Sequence, residues 1–114
     1  MSISAELIRG HLDAIILKLI LEKDRYGYEI AKEIDRRSGH RLEIKEATLY
    51  AAIQRLERNR LIVSYTGQVT HGRERKYYKP TADGQTYYRE KTQEWRLIKE
   101  IVDNLMEEKR DENQ

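Results

Sequence analysis

The chain opens with a dense run of apolar positions. Between residues 5 and 22, Ile8, Leu12, Ile15, Ile16, Leu19 and Ile20 recur at helical spacing, and Leu17 and Leu21 widen the stripe. A helix this apolar packs on more than one side. The segment KDRYGYE breaks the pattern. A second helix is predicted from about Tyr26 to Arg37, with Ile30, Ala31 and Ile34 inward. SGHR ends it, and Gly39 suits the left-handed position that follows a helix. After an extended link, LEIK, comes EATLYAAIQRLERNRLI, residues 46–62. Leu49, Ile53 and Leu56 line its inner side, and Thr48, Ala51, Gln54, Arg55 and Arg58 its outer side. Lys45 stands where Ser or Asn would cap that helix better, which leaves its start open by a residue or two.

Residues 61–67 and 75–80 read as two short strands, rich in β-branched and aromatic side chains. QVTHGR joins them, with Gly72 near the tip. Such a hairpin is marginal alone and must lie against the helices. From residue 81 to about 109 the chain reads as one long helix. Tyr88, Trp95, Ile98, Val102 and Leu105 form a heptad seam interrupted by Lys91. No later segment remains to cover that seam, although the first helix could cover part of it. The expected fold is mainly α-helical with a β-hairpin wing. A winged helix-turn-helix spans residues 1–80, a dimerisation helix 81–109 and a disordered tail 110–114.

Charge narrows the picture. Of 114 residues 37% are charged, yet the net charge is only +2, so any nucleic-acid surface must come from local clustering. The chain has no Cys, which excludes disulfides and thiolate metal sites and fits a cytoplasmic protein. MSISAELIRG lacks a basic start followed by a long apolar run, so no secretory leader is expected. The longest apolar run is too short to span a bilayer, and no membrane partner is expected. His11, His40 and His71 are scattered, without partners at metal-ligand spacing, and no catalytic triad or phosphate loop is visible. No enzyme activity, cofactor or metal is therefore expected.

Two helices joined by a turn, then a third helix and a hairpin with a basic second strand, make a winged helix-turn-helix. In that arrangement the third helix enters the major groove of double-stranded DNA. Thr48 and Ala51 allow close approach, while Gln54, Arg55 and Arg58 can reach base edges or phosphates. Taken alone, the same face could be an ordinary solvated helix surface. The wing tips the balance: HGRERKYYK carries Arg73, Arg75, Lys76 and Lys79 against one acid, Glu74. Basic residues near a glycine-containing tip suit phosphate tracking, although charges also protect edge strands.

Those same segments resemble the PadR family of bacterial transcriptional regulators. The resemblance rests on Thr48-Leu49-Tyr50, Arg55-Leu56-Glu57, Leu61-Ile62, Gly72-Arg73, Arg75-Lys76-Tyr77-Tyr78, Thr81 with Gly84, and YGYEI at residues 26–30. It covers about residues 5–108. The single last helix is similar to that of the small subfamily that includes LmrR-type multidrug-binding repressors.

The resemblance implies a homodimeric repressor on a pseudo-palindromic operator. It implies DNA contacts by Thr48, Tyr50 and Arg55 in or beside the third helix, and by Arg73, Arg75 and Lys76 in the wing. Tyr50 fits either a phosphate contact or plain packing, and for Tyr28 packing is the simpler role. The last helix would pair with its copy through Tyr88, Trp95, Ile98, Val102 and Leu105. In multidrug-binding relatives a tryptophan at the position of Trp95 lines a pore at the dimer centre. Here Leu7, Gly10, Ala14 and Lys18 of the first helix would surround it, with Tyr88, Thr92 and Lys99 of the last. A flat aromatic or phenolic effector would bind there, and the lysines disfavour a cation. Ordinary interface packing is the other reading of Trp95. The competing function is an effector-independent adaptor that uses the winged helix for protein contacts.

Overall fold

The computed structural model describes residues 1–67 and 72–107. In chain order these form β1 (Ile3–Ser4), a 3₁₀ segment (Ala5–His11), α1 (Leu12–Glu22), β2 (Arg25–Tyr26), α2 (Gly27–Arg37) and β3 (Leu42–Glu43). They continue as α3 (Glu46–Arg58), β4 (Ile62–Thr66), β5 (Lys76–Pro80) and α4 (Ala82–Met106). The expected mixture of helices and wing is present.

The apolar α1 is the hub. Leu12, Ile16, Leu17, Leu19 and Ile20 are buried, and α1 packs against α2, α3, α4 and β5. Ile30 and Ile34 reach it from α2, and Leu49, Ala52, Ile53 and Leu56 from α3. Ile62 and Tyr78 close the core from the wing. The helix expected from residue 5 onward is corrected at its start. Residues 5–11 coil as a 3₁₀ segment, broken at Ile8 (φ −116°, ψ 18°). Gly10 lies in this stretch, and glycine is a poor α-former.

The capping chemistry fixes the other boundaries. The Tyr26 N–H donates to Glu29 Oε1 at 3.2 Å, starting α2. Two paired bonds end it, from the Gly39 N–H to Arg36 O (3.1 Å) and from the His40 N–H to Asp35 O (2.8 Å). Gly39 has the positive φ its position suggested, 64°. The same motif closes α3, through Arg60 N–H to Glu57 O (2.9 Å) and Leu61 N–H to Leu56 O (3.0 Å). There the left-handed residue is Arg60, at φ 59°. α3 begins after Lys45 with no side-chain cap.

The wing is three-stranded rather than two. β2, from within KDRYGYE, pairs antiparallel with β5, which pairs antiparallel with β4. Tyr26 and Tyr65 both register on Tyr77, and Tyr78 faces Arg25 and Ser64. Each hairpin strand is one or two residues shorter than the pattern suggested. β1 adds a short parallel pairing to β3, Ile3 on Leu42. The last helix, expected to run to about residue 109, ends at Met106, where Glu107 turns extended (ψ 134°); the expected tail and His71 lie outside the described residues.

Candidate nucleic-acid interface

α3 divides its residues cleanly. Its core side is buried, while Ala47, Thr48, Ala51, Gln54 and Arg58 are exposed. Ala47 belongs to this outer face although the hydrophobic pattern did not single it out. Ala47, Thr48, Ala51 and Arg55 also line a groove of about 600 Å³, shared with Ser4, Glu6, Arg9, Glu43 and Lys45. The 3₁₀ segment thus borders the outer face of α3, a neighbour that nothing in the residue pattern foretells.

The two flanks of α3 are tied down. On one, Arg55 Nε and Nη2 donate to Asp13 Oδ2 and Oδ1 of α1 at 3.0 and 2.6 Å. The hydrogen bonds from Arg55 to Asp13 raise the guanidinium pKa above its usual value, and the Asp13 charge adds to this. Arg55 is therefore not a free outward arginine but one half of a bidentate pair. On the other flank, Glu57 accepts from Ser64 Oγ at 3.2 Å and lies 3.8 Å from Lys76 Nζ. That contact sets the base of the wing beside the last turn of α3. Tyr50, on the same flank, packs its phenol against Gly27 at the start of α2. A Cβ there would overlap the Tyr50 hydroxyl, so the packing half of its two readings is realised while the ring stays partly exposed.

The wing cations are not equivalent. Arg73, Lys76 and Lys79 are exposed, whereas Arg75 is half-buried. The Arg75 guanidinium lies over the Tyr26 ring, 4.8 Å from its centroid, and its buried Nε has no hydrogen-bond partner among the described residues. Arg75 thus braces the sheet instead of standing out from it. Lys79 Nζ sits 6.0 Å from the Tyr65 centroid, and Tyr65 donates its hydroxyl proton to Asp24 at 2.5 Å.

The 3₁₀ segment, α1 and α4 line an open cavity of about 350 Å³. Ala14, Lys18, Tyr88, Thr92 and Trp95, five of the residues named for a pore at a dimer centre, line this cavity of the single chain. Leu7, Gly10 and Lys99 do not; their places are taken by Ile8, His11, Ile15 and Lys91. The break at Ile8 accounts for Ile8 and His11 replacing Leu7 and Gly10, because it changes the face that residues 5–11 present; on α4, Lys91 lines the cavity and Lys99 does not. His11 meets Trp95 edge to face, with centroids 4.7 Å apart. Further along α4, Trp95, Leu97, Ile101, Val102, Leu105 and Met106 are all exposed, Leu105 to 79%.

Three helices with a polar outer face on the third, closed by a basic three-stranded wing, define a winged-helix DNA-binding protein. The profile of the "Transcriptional regulator PadR-like family" matches residues 16–90. The chain belongs to this family: it is a DNA-binding transcription regulator and not an enzyme. It is 54% identical over 105 residues to an uncharacterised protein of Lysinibacillus sphaericus, covering 92% of this chain and 96% of the relative. A transcriptional regulator from Clostridium thermocellum is similar in structure, with a TM-score of 0.84 and 45% identity, over 92% of this chain and 99% of that one. A PadR family transcription regulator from Clostridium difficile gives 0.75 and 39%, over 84% and 98%. Among the described residues no helix is long and apolar enough to cross a membrane, and no acid or histidine cluster could hold a metal.

Proposed function

We propose that this regulator acts as a homodimeric repressor of the small PadR subfamily with one C-terminal helix. It binds a pseudo-palindromic operator through α3 and the wing, and a flat aromatic effector between α1 and α4 releases it. The carrying observation is the exposed apolar arc of α4. Six large side chains from Trp95 to Met106 face solvent in a single chain, and an apolar surface of that extent marks an interaction site. A second copy satisfies it through the seam of Tyr88, Trp95, Ile98, Val102 and Leu105.

The chemistry of the cavity narrows the effector. Its lining combines Trp95, Tyr88 and aliphatic side chains with His11, Lys18 and Lys91, and contains no carboxylate. Lys18 and Lys91 pair with Glu22 and Glu94 at 3.6 and 3.3 Å, on the surface where such pairs contribute little. With each lysine offset by its carboxylate the lining suits a neutral flat aromatic, and an acidic one would draw Lys18 or Lys91 away from its partner. The effector acts on DNA only if it favours one arrangement of the two winged units over another.

Trp95 is the only tryptophan, so its fluorescence reports the cavity directly. Planar neutral and acidic aromatics should quench it saturably, and operator affinity should fall over the same concentration range. Trp95→Ala should lose that response and keep DNA binding. A broad aromatic panel that changes neither signal would leave Trp95 as interface packing and remove the effector from the proposal.

A further inference from the structure

The bond between Arg55 and Asp13 spans two elements with different tasks. Arg55 stands on α3, and Asp13 stands on α1, behind the reading surface. The pair is side-on and bidentate, through Nε at 3.0 Å and Nη2 at 2.6 Å. A guanidinium carries five N–H donors in one rigid plane. Asp13 takes two of them on one edge, which leaves the end that carries Nη1.

The two partners differ in exposure. The Asp13 side chain is 13% exposed and that of Arg55 43%. The carboxylate is thus largely enclosed, while the arginine reaches solvent along the groove lined by Thr48 and Ala51. An unsupported arginine must lose rotamer freedom when it meets a base edge. Here that freedom is lost on folding, because a nearly buried anion holds the plane of the guanidinium.

We infer that Asp13 is a positioning residue for sequence readout. It presents the Nη1 end of Arg55 to a guanine edge in the major groove, and so sets base preference at one operator position. The inference rests on α3 being the groove-facing helix. Asp13 is an anion close to the DNA, so charge alone would lower affinity for every sequence. Its contribution is to the choice between sequences.

That opposition of signs supplies the test. The wild-type protein selects its preferred duplex from a random library. Wild type, Asp13→Asn, Arg55→Lys and the double variant are then measured on the selected duplex, on its single base-pair variants and on a scrambled duplex. With an unchanged melting temperature, Asp13→Asn should bind scrambled DNA as well as wild type or better, since an anion is gone. Its affinity for the selected duplex should fall about tenfold, the scale of one bidentate base contact. Discrimination should relax at one G·C pair, the same pair that Arg55→Lys relaxes, and the double variant should lose no more than the worse single. Tighter binding of Asp13→Asn to selected and scrambled duplexes alike would overturn the inference. So would equal losses on both, which is what a plain strut between helices predicts. Should Asp13→Asn not fold, Asp13→Glu keeps the charge and shifts the carboxylate by one methylene. Relaxed preference at the Arg55 base pair then supports the inference, and unchanged preference overturns it. A wild type that selects no sequence would sink the reading of α3 together with the inference; a selective wild type with an indifferent Asp13 variant sinks the inference alone.

Discussion

Gly84 governs how closely the start of α4 approaches the turn that ends α3. A Cβ at this position would overlap the carbonyl oxygen of Leu61, a backbone atom that cannot swing aside. That carbonyl also accepts from the Thr81 N–H at 3.0 Å, and Thr81 Oγ1 accepts from the Gly84 N–H at 3.0 Å. Gly84→Ala should therefore destabilise the fold by about 1–3 kcal/mol, the usual scale of overpacking, measurable by urea denaturation. Stability equal to wild type would show that α4 can shift freely. Other single residues were hidden in the sequence. Arg60 adopts the left-handed conformation that glycine or asparagine favours, so residue type gave no signal for it. The Asp13–Arg55 pair joins positions 42 apart, and one sequence carries no sign of such a pairing. Ala47 escaped notice because it sits in the first turn of α3, whose start the residue pattern left open.

Between elements, the junction of α1, β2 and α2 is electrostatic. Buried Arg25 donates from Nε to Leu19 O at 2.9 Å and from Nη2 to Glu22 at 3.2 Å. Arg37 reaches Glu22 from the far end of α2 at 2.6 Å. The Arg37 hydrogen bonds hold the Glu22 carboxyl at about 2, against an ordinary value of 4.5. Glu33 is lowered as well, chiefly by Arg36. A carboxyl depressed by folding stabilises the fold above its unfolded value, and that contribution is lost as pH falls toward the folded one. The melting temperature should therefore drop through the window from about 4.5 down to about 2, and Glu22→Gln should flatten this drop. Identical profiles for variant and wild type would remove Glu22 from the acid transition. In the wing, exposed Lys76 and half-buried Arg75 should behave differently. Lys76→Ala should weaken operator and scrambled DNA alike and reduce the salt slope by about one. A change confined to the operator would make Lys76 a base reader. The helices and hairpin were legible because their periodicities are strong. β2 was not, since two residues have no period and their strand character comes from pairing with β5.

At the scale of the molecule, the extents of 68 × 32 × 20 Å reflect α4 running beyond the winged body. Its distal apolar arc should hold two chains together, and sedimentation at micromolar concentration should give twice the 13.6 kDa chain mass. A clean monomer would defeat the dimer and the shared cavity. Recognition helices in such a dimer should stand about one helical turn apart, roughly 34 Å, which footprinting of the half-sites would measure. Heptad spacing picked out Trp95, Val102 and Leu105 of the exposed arc but not Leu97, Ile101 or Met106, and it included Tyr88 and Ile98, which are partly buried; the cavity was legible only in part, because its 3₁₀ wall departs from the helix the pattern implied. The Thr81 clamp has a mechanical consequence. Hydrogen bonds from Thr81 to Arg60 O and Leu61 O weld the root of α4 to the end of α3. The helix is then a lever with a stiff root, roughly 37 Å long at 1.5 Å per residue. A swing of about 5° about its distal end moves the root by about 3 Å, close to the 3.4 Å rise of one base step. In a dimer joined at the distal end, a tilt of about 5° there would thus displace the winged body by about one base step.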